Sequence, residues 1–285
     1  MEIIVGKTAG FCYGVERAVN GAKEELNNGE KVYCLGEIVH NQNVVDDLKK
    51  QGLEFIENIN EAKGKTIIRA HGISKEVYKK AEELKIEIKD LTCPSVLKIH
   101  DIADEYAKKG YYIILTGKEK HPEVIGIASF CGENYSVIEN EEEIENVVSD
   151  IESKNSKNIL LISQTTYSLK KFENIQKKLE NILGDTCNLE IKQTICPSTR
   201  IRQEETEKIA KQVDIMIIIG DKKSSNTNKL YDISCEFCKN VIFINDASEL
   251  NLENIKKANK IGIMAGASTP KKDIVDVKNK IGEVI

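Results

Sequence analysis

The feature that most constrains the fold is the regular alternation of short apolar runs with longer charged stretches of helical period. The apolar runs, rich in β-branched residues, predict strands at 3–5, 31–35, 66–69, 87–91, 111–115, 158–162, 214–219, 241–244 and 260–264. The stretches between them predict amphipathic helices, for example at 75–84, 169–183 and 198–212. This alternation predicts an α/β protein in which helices cover mainly parallel sheets.

Charge and hydropathy narrow the class of protein. Hydrophobic residues make up 40% of the 285 residues, enough for a full core. The net charge of -5 argues against a nucleic-acid partner, which needs a basic field, but it permits an anionic substrate held by local donors. No apolar run is long enough to cross a bilayer, and no signal peptide is visible, so we expect a cytoplasmic protein without a membrane partner.

Three of the eight cysteines share one kind of position. Cys12 and Cys93 each follow a predicted strand, Cys196 follows a short strand-like run, and all three stand at the start of a predicted helix. Ligand sites of open α/β sheets gather beyond the carboxyl ends of strands, and a helix N-terminus favours a thiolate. Three thiolates can hold a [4Fe–4S] cluster and leave one iron without a protein ligand. The segments 90–95 and 193–198 also resemble each other, which indicates either repeated α/β units or chance.

The other five cysteines have simpler interpretations. Burial is expected for Cys34, Cys131 and Cys187. Cys235 and Cys238 have the spacing of a metal or redox pair, but no second pair is present, so packing is the favoured interpretation. The cysteines alone leave two other classes of protein open, a non-catalytic iron–sulfur sensor and a zinc-binding structural protein.

Polar side chains recur at equivalent positions after the predicted strands. They are His40, His71, His121, Ser224, Ser225, Asn226 and Ser268. Taken singly, each is more typical of a structural residue or a helix N-cap, but backbone N–H groups and hydroxyls at such positions also bind phosphate. Glu123 beside His121 and Thr165 after the run 158–162 suggest a proton relay. The sequence contains no Walker or GxGxxG motif for a nucleotide.

Nine short motifs, in order along nearly the whole chain, resemble the 4-hydroxy-3-methylbut-2-enyl diphosphate reductase (LytB/IspH) family. They are GFCYGV at 10–15, EIVHN at 37–41, RAHG at 69–72, TCP at 92–94, HPEV at 121–124, QTT at 164–166, ICPST at 195–199, SSNTN at 224–228 and GASTP at 266–270. The resemblance implies three similar α/β lobes with mainly parallel sheets around a central iron–sulfur cluster. We therefore expect lobes at 1–97, 98–193 and 194–285.

The resemblance also implies roles for the site residues. Cys12, Cys93 and Cys196 match the ligands of a [4Fe–4S] cluster with one open iron site. Glu123 matches the proton-delivery residue, with Thr165 beside it near the substrate hydroxyl and His121 contributing to catalysis. The substrate-binding positions are His40, His71, His121, Thr165, Ser224, Ser225, Asn226 and Ser268.

The implied activity is reductive removal of the hydroxyl of an allylic diphosphate, 4-hydroxy-3-methylbut-2-enyl diphosphate. The products are isopentenyl and dimethylallyl diphosphate, formed in the last step of the non-mevalonate isoprenoid pathway. Because no flavin or nicotinamide motif is visible, electrons must come from outside, and the family expectation is a ferredoxin or flavodoxin.

Overall fold

The computed structural model describes residues 1–29, 31–184 and 186–283. The strands of the described chain are β1 Glu2–Val5, β2 Tyr33–Leu35, β3 Glu54–Ile56, β4 Thr66–Ile68, β5 Ile88–Asp90, β6 Tyr112–Thr116, β7 Tyr135–Ile138, β8 Asn158–Ser163, β9 Asn188–Ile191, β10 Ile215–Ile219, β11 Val241–Ile244 and β12 Lys260–Ala265. The helices are α1 Tyr13–Leu26, α2 Gln42–Lys50, α3 Lys75–Glu83, α4 Pro94–Lys108, α5 Pro122–Ala128, α6 Ile144–Ser153, α7 Leu169–Leu183, α8 Pro197–Ala210, α9 Ser225–Phe237 and α10 Lys271–Gly282. Short 3-10 helices lie at Ile59–Glu61, Glu141–Glu143, Ala247–Glu249 and Leu252–Asn254.

The strands form three four-stranded sheets in which every described pairing is parallel. Their orders are β5-β4-β2-β3, β9-β8-β6-β7 and β1-β12-β10-β11. The predicted α/β class with three parallel-sheet lobes is therefore confirmed. The strands missing from the sequence prediction, β3, β7 and β9, are all edge strands, where half-exposed polar residues interrupt the apolar pattern.

The three sheets are wound alike, but one takes its last strand from the start of the chain. In two sheets the chain passes from an inner strand to one edge, returns to the other side, and finishes on the opposite edge. In the third sheet β10, β11 and β12 follow that path, and β1 supplies the final edge, with Glu2 opposite Lys260 and Val5 opposite Ile263. The predicted lobe 1–97 included β1, and here the structure differs, because periodicity identifies a strand without identifying its neighbour. The other lobe boundaries stay a prediction.

Each central strand is buried on both faces, which makes each sheet the middle layer of three. In β10, Ile215, Ile217 and Ile219 pack with α10, whereas Met216 and Ile218 pack with α8 and α9. The residues of β6 alternate in the same way between α6 with α7 and α4 with α5. Continuous apolar strands of this kind are expected where helices cover both faces of a parallel sheet.

The chain divides into two compact units. The first consists of Met1–Val19, Val39–Gln51 and Pro197–Ile285, and the second of Asn20–Ile38 and Gly52–Cys196. The first unit contains the sheet of β1, and the second contains the two other sheets. Among the described helices, none has the length and apolar character needed to cross a membrane.

Candidate functional site

The predicted site residues all lie in loops or helix starts that follow the carboxyl end of a parallel strand. This is the edge at which α/β sheets bind ligands, because the following helices point their N-termini there. The first unit contributes Cys12, His40, Ser224, Ser225, Asn226 and Ser268. The second contributes His71, Cys93, His121, Glu123, Thr165 and Cys196.

The three candidate ligand cysteines are held by the same backbone hydrogen bond. The N–H of Cys12 donates to Ala267 O at 3.1 Å, that of Cys93 to Ala70 O at 3.0 Å, and that of Cys196 to Thr165 O at 3.0 Å. Each cysteine follows an edge strand of its sheet. The residue that supplies the acceptor oxygen lies two positions after the end of the neighbouring strand. All three sulfurs belong to half-buried cysteines, each directly before the first residue of α1, α4 or α8.

The remaining cysteines lie in different surroundings. Cys34 and Cys131 are buried, and burial raises the pKa of each thiol to about 12, so both stay protonated. Cys187 is half-buried near the start of β9. Cys235 is exposed on α9, whereas Cys238 is buried at the end of that helix. The two members of the CxxC pair therefore differ in exposure, which does not favour a shared metal ion.

The second unit places two candidate histidines side by side. The rings of His71 and His121 lie 5.5 Å apart between centroids, edge to face. His121 caps α5, and its Nδ1 accepts a hydrogen bond from the Glu123 N–H at 3.1 Å. A neutral His121 therefore carries its proton on Nε2, where it is available as a donor to an anion.

Glu123 is a buried carboxyl joined to Thr165. Its side chain is 2% exposed, and its oxygens accept hydrogen bonds from Thr165 N at 2.6 Å and Thr165 Oγ1 at 2.8 Å. Burial raises the pKa of Glu123 to about 7, although the two bonds from Thr165 act in the opposite direction. A carboxyl with this pKa can hold a proton and release it near neutral pH, as a general acid requires. Thr165 O also accepts a hydrogen bond from the Cys196 N–H. Thr165 therefore contacts both the Glu123 carboxyl and the backbone of Cys196.

The first unit gathers neutral donors. Ser268 Oγ donates to His40 O at 2.8 Å, and the N–H of Cys12 bonds to the residue before Ser268. Ser224 caps α9 by accepting from Thr227 N, and Ser225 and Asn226 form its first turn. Asn226 is 3% exposed, yet its amide N and O have no hydrogen-bond partner within the described ranges. An unsatisfied buried amide is costly, and this one fits a site that a polar ligand completes.

Two features of the site were missed by the sequence analysis. The buried face of α8 is polar at Thr199, Arg202, Gln203 and Thr206 and becomes apolar only near the end of the helix. This polar stripe at helical spacing was a signal that the first part of the helix packs against backbone or ligand instead of a hydrophobic core. The second feature is His100 in the second unit, which is 3% exposed.

His100 packs against both candidate histidine loops. A side chain at Gly72, which follows His71 with φ +73°, would approach His100 Cε1 to 3.0 Å, and one at Gly126 in α5 would approach its Nε2 to 3.3 Å. His100 also stacks on Phe130, and burial lowers its pKa to about 4. It is therefore a neutral packing residue beneath the two loops.

Comparisons with known proteins agree with this arrangement. The family model described as LytB protein matches residues 3–282. A 4-hydroxy-3-methylbut-2-enyl diphosphate reductase of Caldanaerobacter subterraneus subsp. tengcongensis is 42% identical, over 99% of this chain and 96% of its own. The reductase of Alkaliphilus oremlandii is 37% identical over the whole of both chains.

Two solved structures are also similar. A structure of (E)-4-hydroxy-3-methyl-but-2-enyl diphosphate reductase, described as the terminal enzyme of the non-mevalonate pathway, matches with a TM-score of 0.71 and 36% identity, covering 99% of this chain and 100% of that one. The corresponding reductase from Plasmodium falciparum matches with a TM-score of 0.88 and 32% identity, over 98% of this chain and 87% of that one. Since both the family model and these relatives span almost the entire sequence, the chain belongs to the LytB protein family.

Proposed function

We propose that this chain reduces 4-hydroxy-3-methylbut-2-enyl diphosphate to isopentenyl and dimethylallyl diphosphate, the last step of the non-mevalonate pathway. The reaction consumes two electrons and two protons, breaks the allylic C–O bond and releases water. One observation carries the proposal: Thr165 joins a buried proton-holding carboxyl, Glu123, to the backbone of Cys196. This arrangement serves a reaction in which a proton must reach a leaving oxygen beside a metal.

We assign Cys12, Cys93 and Cys196 to a [4Fe–4S] cluster. The donor set fits, because all three are half-buried cysteines at helix starts, where the helix dipole favours the thiolate. When bound there, such a cluster would supply electrons one at a time and an open iron site with Lewis-acid character. The three backbone bonds from the cysteine N–H groups fix the loops in which those thiolates stand.

Glu123 and Thr165 deliver the proton. At neutral pH a large share of Glu123 carries a proton, because its pKa is raised to about 7. We assign to the Thr165 hydroxyl, 2.8 Å from the carboxyl, the transfer of that proton to the leaving oxygen. Protonation turns a poor leaving group into water, which is the contribution expected of a general acid.

The diphosphate is assigned to neutral donors. His40, Ser224, Ser225, Asn226 and Ser268 contribute from the first unit, and His71 and His121 from the second. The buried amide of Asn226 and the Nε2–H of His121 suit phosphate oxygens, which accept hydrogen bonds and have none to give. Fixing the diphosphate in this way orients the allylic end without a cluster of lysines or arginines.

An external donor, a reduced ferredoxin or flavodoxin, completes the proposal. A chain with eight cysteines suits a reducing compartment, and we infer the cytoplasmic location expected from the sequence.

The decisive experiment is anaerobic purification followed by turnover. We expect brown protein containing iron and sulfide that converts the allylic diphosphate when a reduced viologen dye is supplied. Colourless protein containing zinc would refute the cluster. Cluster-loaded protein that forms no product would refute the reductase and leave an iron–sulfur sensor.

A further inference from the structure

A buried arginine of α8 holds the loop that leads to Cys12. Arg202 is 3% exposed. Its Nε and Nη2 both donate to Thr8 O, at 2.9 and 2.6 Å, and Nη2 also donates to Gly10 O at 2.8 Å. Charged donors to backbone carbonyls make stronger hydrogen bonds than neutral ones, and the guanidinium fork can span two acceptors at once.

Glu205, one helical turn further on, holds the opposite groups of the same loop. Its Oε1 accepts from Lys7 N at 2.7 Å, and its Oε2 accepts from Thr8 N at 2.9 Å and from Thr8 Oγ1. Burial tends to raise the pKa of Glu205, but these hydrogen bonds and the nearby Arg202 charge keep it below its usual value. The carboxylate is therefore charged at neutral pH and receives three donors.

The path of the loop requires glycine at two positions. Gly10 has φ +103°, a conformation that other residues rarely adopt. A side chain at Gly6 would come within 1.9 Å of Met264 Sδ. Between these glycines, the Arg202 and Glu205 side chains bind carbonyl and N–H groups of residues 7–10, only two residues before Cys12.

We propose that Arg202 and Glu205 are positioning residues that fix residues 7–10 so that Cys12 stands ready to bind iron. The inference rests on the proposed function only in taking Cys12 as an iron ligand. The contacts lie within the first unit, 192 to 198 residues apart in sequence. Neither residue touches substrate, so their effect passes through the loop.

The chain offers matched controls on the same helix. Arg200 and Glu204 are exposed neighbours of the same two residue types. Arg200 Nε and Glu204 Oε1 lie 4.0 Å apart. Arg202→Lys keeps the charge but removes the fork, and Glu205→Gln keeps the shape but removes the charge. Thr8→Val deletes one donor to Glu205 and provides a milder change if the other variants fold poorly.

The first measurement is hydrogen exchange of the full-length, anaerobically purified protein. In Arg202→Lys and Glu205→Gln, the peptide covering residues 1–11 should exchange about tenfold faster, the factor for losing roughly one charge-assisted hydrogen bond. Thr8→Val should give a smaller increase. Arg200→Lys and Glu204→Gln should match the wild type. Unchanged exchange in both test variants would overturn the proposal.

The second measurement is the rate at which an iron(II) chelator removes iron. The two test variants should lose iron about tenfold faster than the α8 controls, in line with the effect of an outer-sphere partner on metal affinity. Ile255→Val, a core variant of the same unit, controls for general destabilisation and should release iron normally. Faster exchange with unchanged iron release would also overturn the proposal. Wild-type protein that binds no iron would instead refute the cluster, while the exchange comparison would still test the loop.

Discussion

Both units have a cysteine after a parallel edge strand, but the loops that lead to these cysteines differ in length and in what holds them. In the second unit Cys93 follows β5 by three residues and Cys196 follows β9 by five, and each precedes a proline that begins the next helix. In the first unit Cys12 follows β1 by seven residues, and no proline follows it. The short loops are set by their own residues, whereas the long loop is held by Arg202 and Glu205.

The units also differ in the chemistry they contribute. The second unit holds the buried carboxyl Glu123 and two histidines in contact, while the first unit holds hydroxyls, an amide and His40. Under the proposed function, proton transfer would belong to the second unit and neutral anion binding mainly to the first. The following predictions test that division.

The largest effect is expected for the cysteines. Replacing Cys12, Cys93 or Cys196 by Ser removes a thiolate from the donor set, so turnover should fall by at least about a hundredfold and bound iron should decrease. Iron analysis and the viologen assay measure both quantities. Cys235→Ser is the control, and loss of iron in that variant would show that the CxxC pair was wrongly set aside. If Cys12→Ser alone behaved normally, Cys12 would not be a ligand of the proposed cluster.

Glu123→Gln should separate proton transfer from binding. The amide still accepts a hydrogen bond from Thr165, but it has no proton to deliver, so kcat should fall by about a hundredfold or more with KM nearly unchanged. Glu119→Gln, at a nearby exposed position, should leave kcat unchanged. Near-normal turnover of Glu123→Gln, with its iron content intact, would remove Glu123 from the proton path.

Glu123 should also make the stability depend on pH. Its folded pKa of about 7 lies above the unfolded value of 4.5, so the folded chain binds more protons between these values. The stabilising contribution is complete below pH 4.5 and is lost as the pH rises to 7, about 3 kcal/mol in all. Urea unfolding at pH 4 and pH 8 should show this loss for wild type relative to Glu123→Gln. Equal pH dependence of the two proteins would contradict the raised pKa.

The smallest effect is expected at Asn226 in the first unit. Asn226→Ala removes a donor to the diphosphate, so KM should rise about tenfold while kcat changes little. Because the amide has no partner in the described structure, the free energy of unfolding should stay the same or increase. A loss of kcat as large as that of Glu123→Gln would contradict the assignment of anion binding to the first unit and proton transfer to the second.

Much of this organisation could be predicted from sequence, for identifiable physical reasons. Strands such as β10, with five consecutive buried residues, and the cysteines and polar residues that follow strands are visible in the chain itself. The edge strand β9 was missed because its residues are exposed or half-buried. The pairing of β1 with β12 joins residues 258 positions apart, and the bonds from Arg202 to Thr8 join residues 194 positions apart. Local periodicity contains no information on such contacts.

The place of β1 at the edge of the third sheet has a consequence for biosynthesis. Among the described strands, β1 pairs with β12, which comes last along the chain. Cys12 likewise bonds to Ala267. β12 and Ala267 must therefore be translated before the Cys12 loop reaches its place, so assembly of the proposed cluster would follow synthesis of this part of the chain.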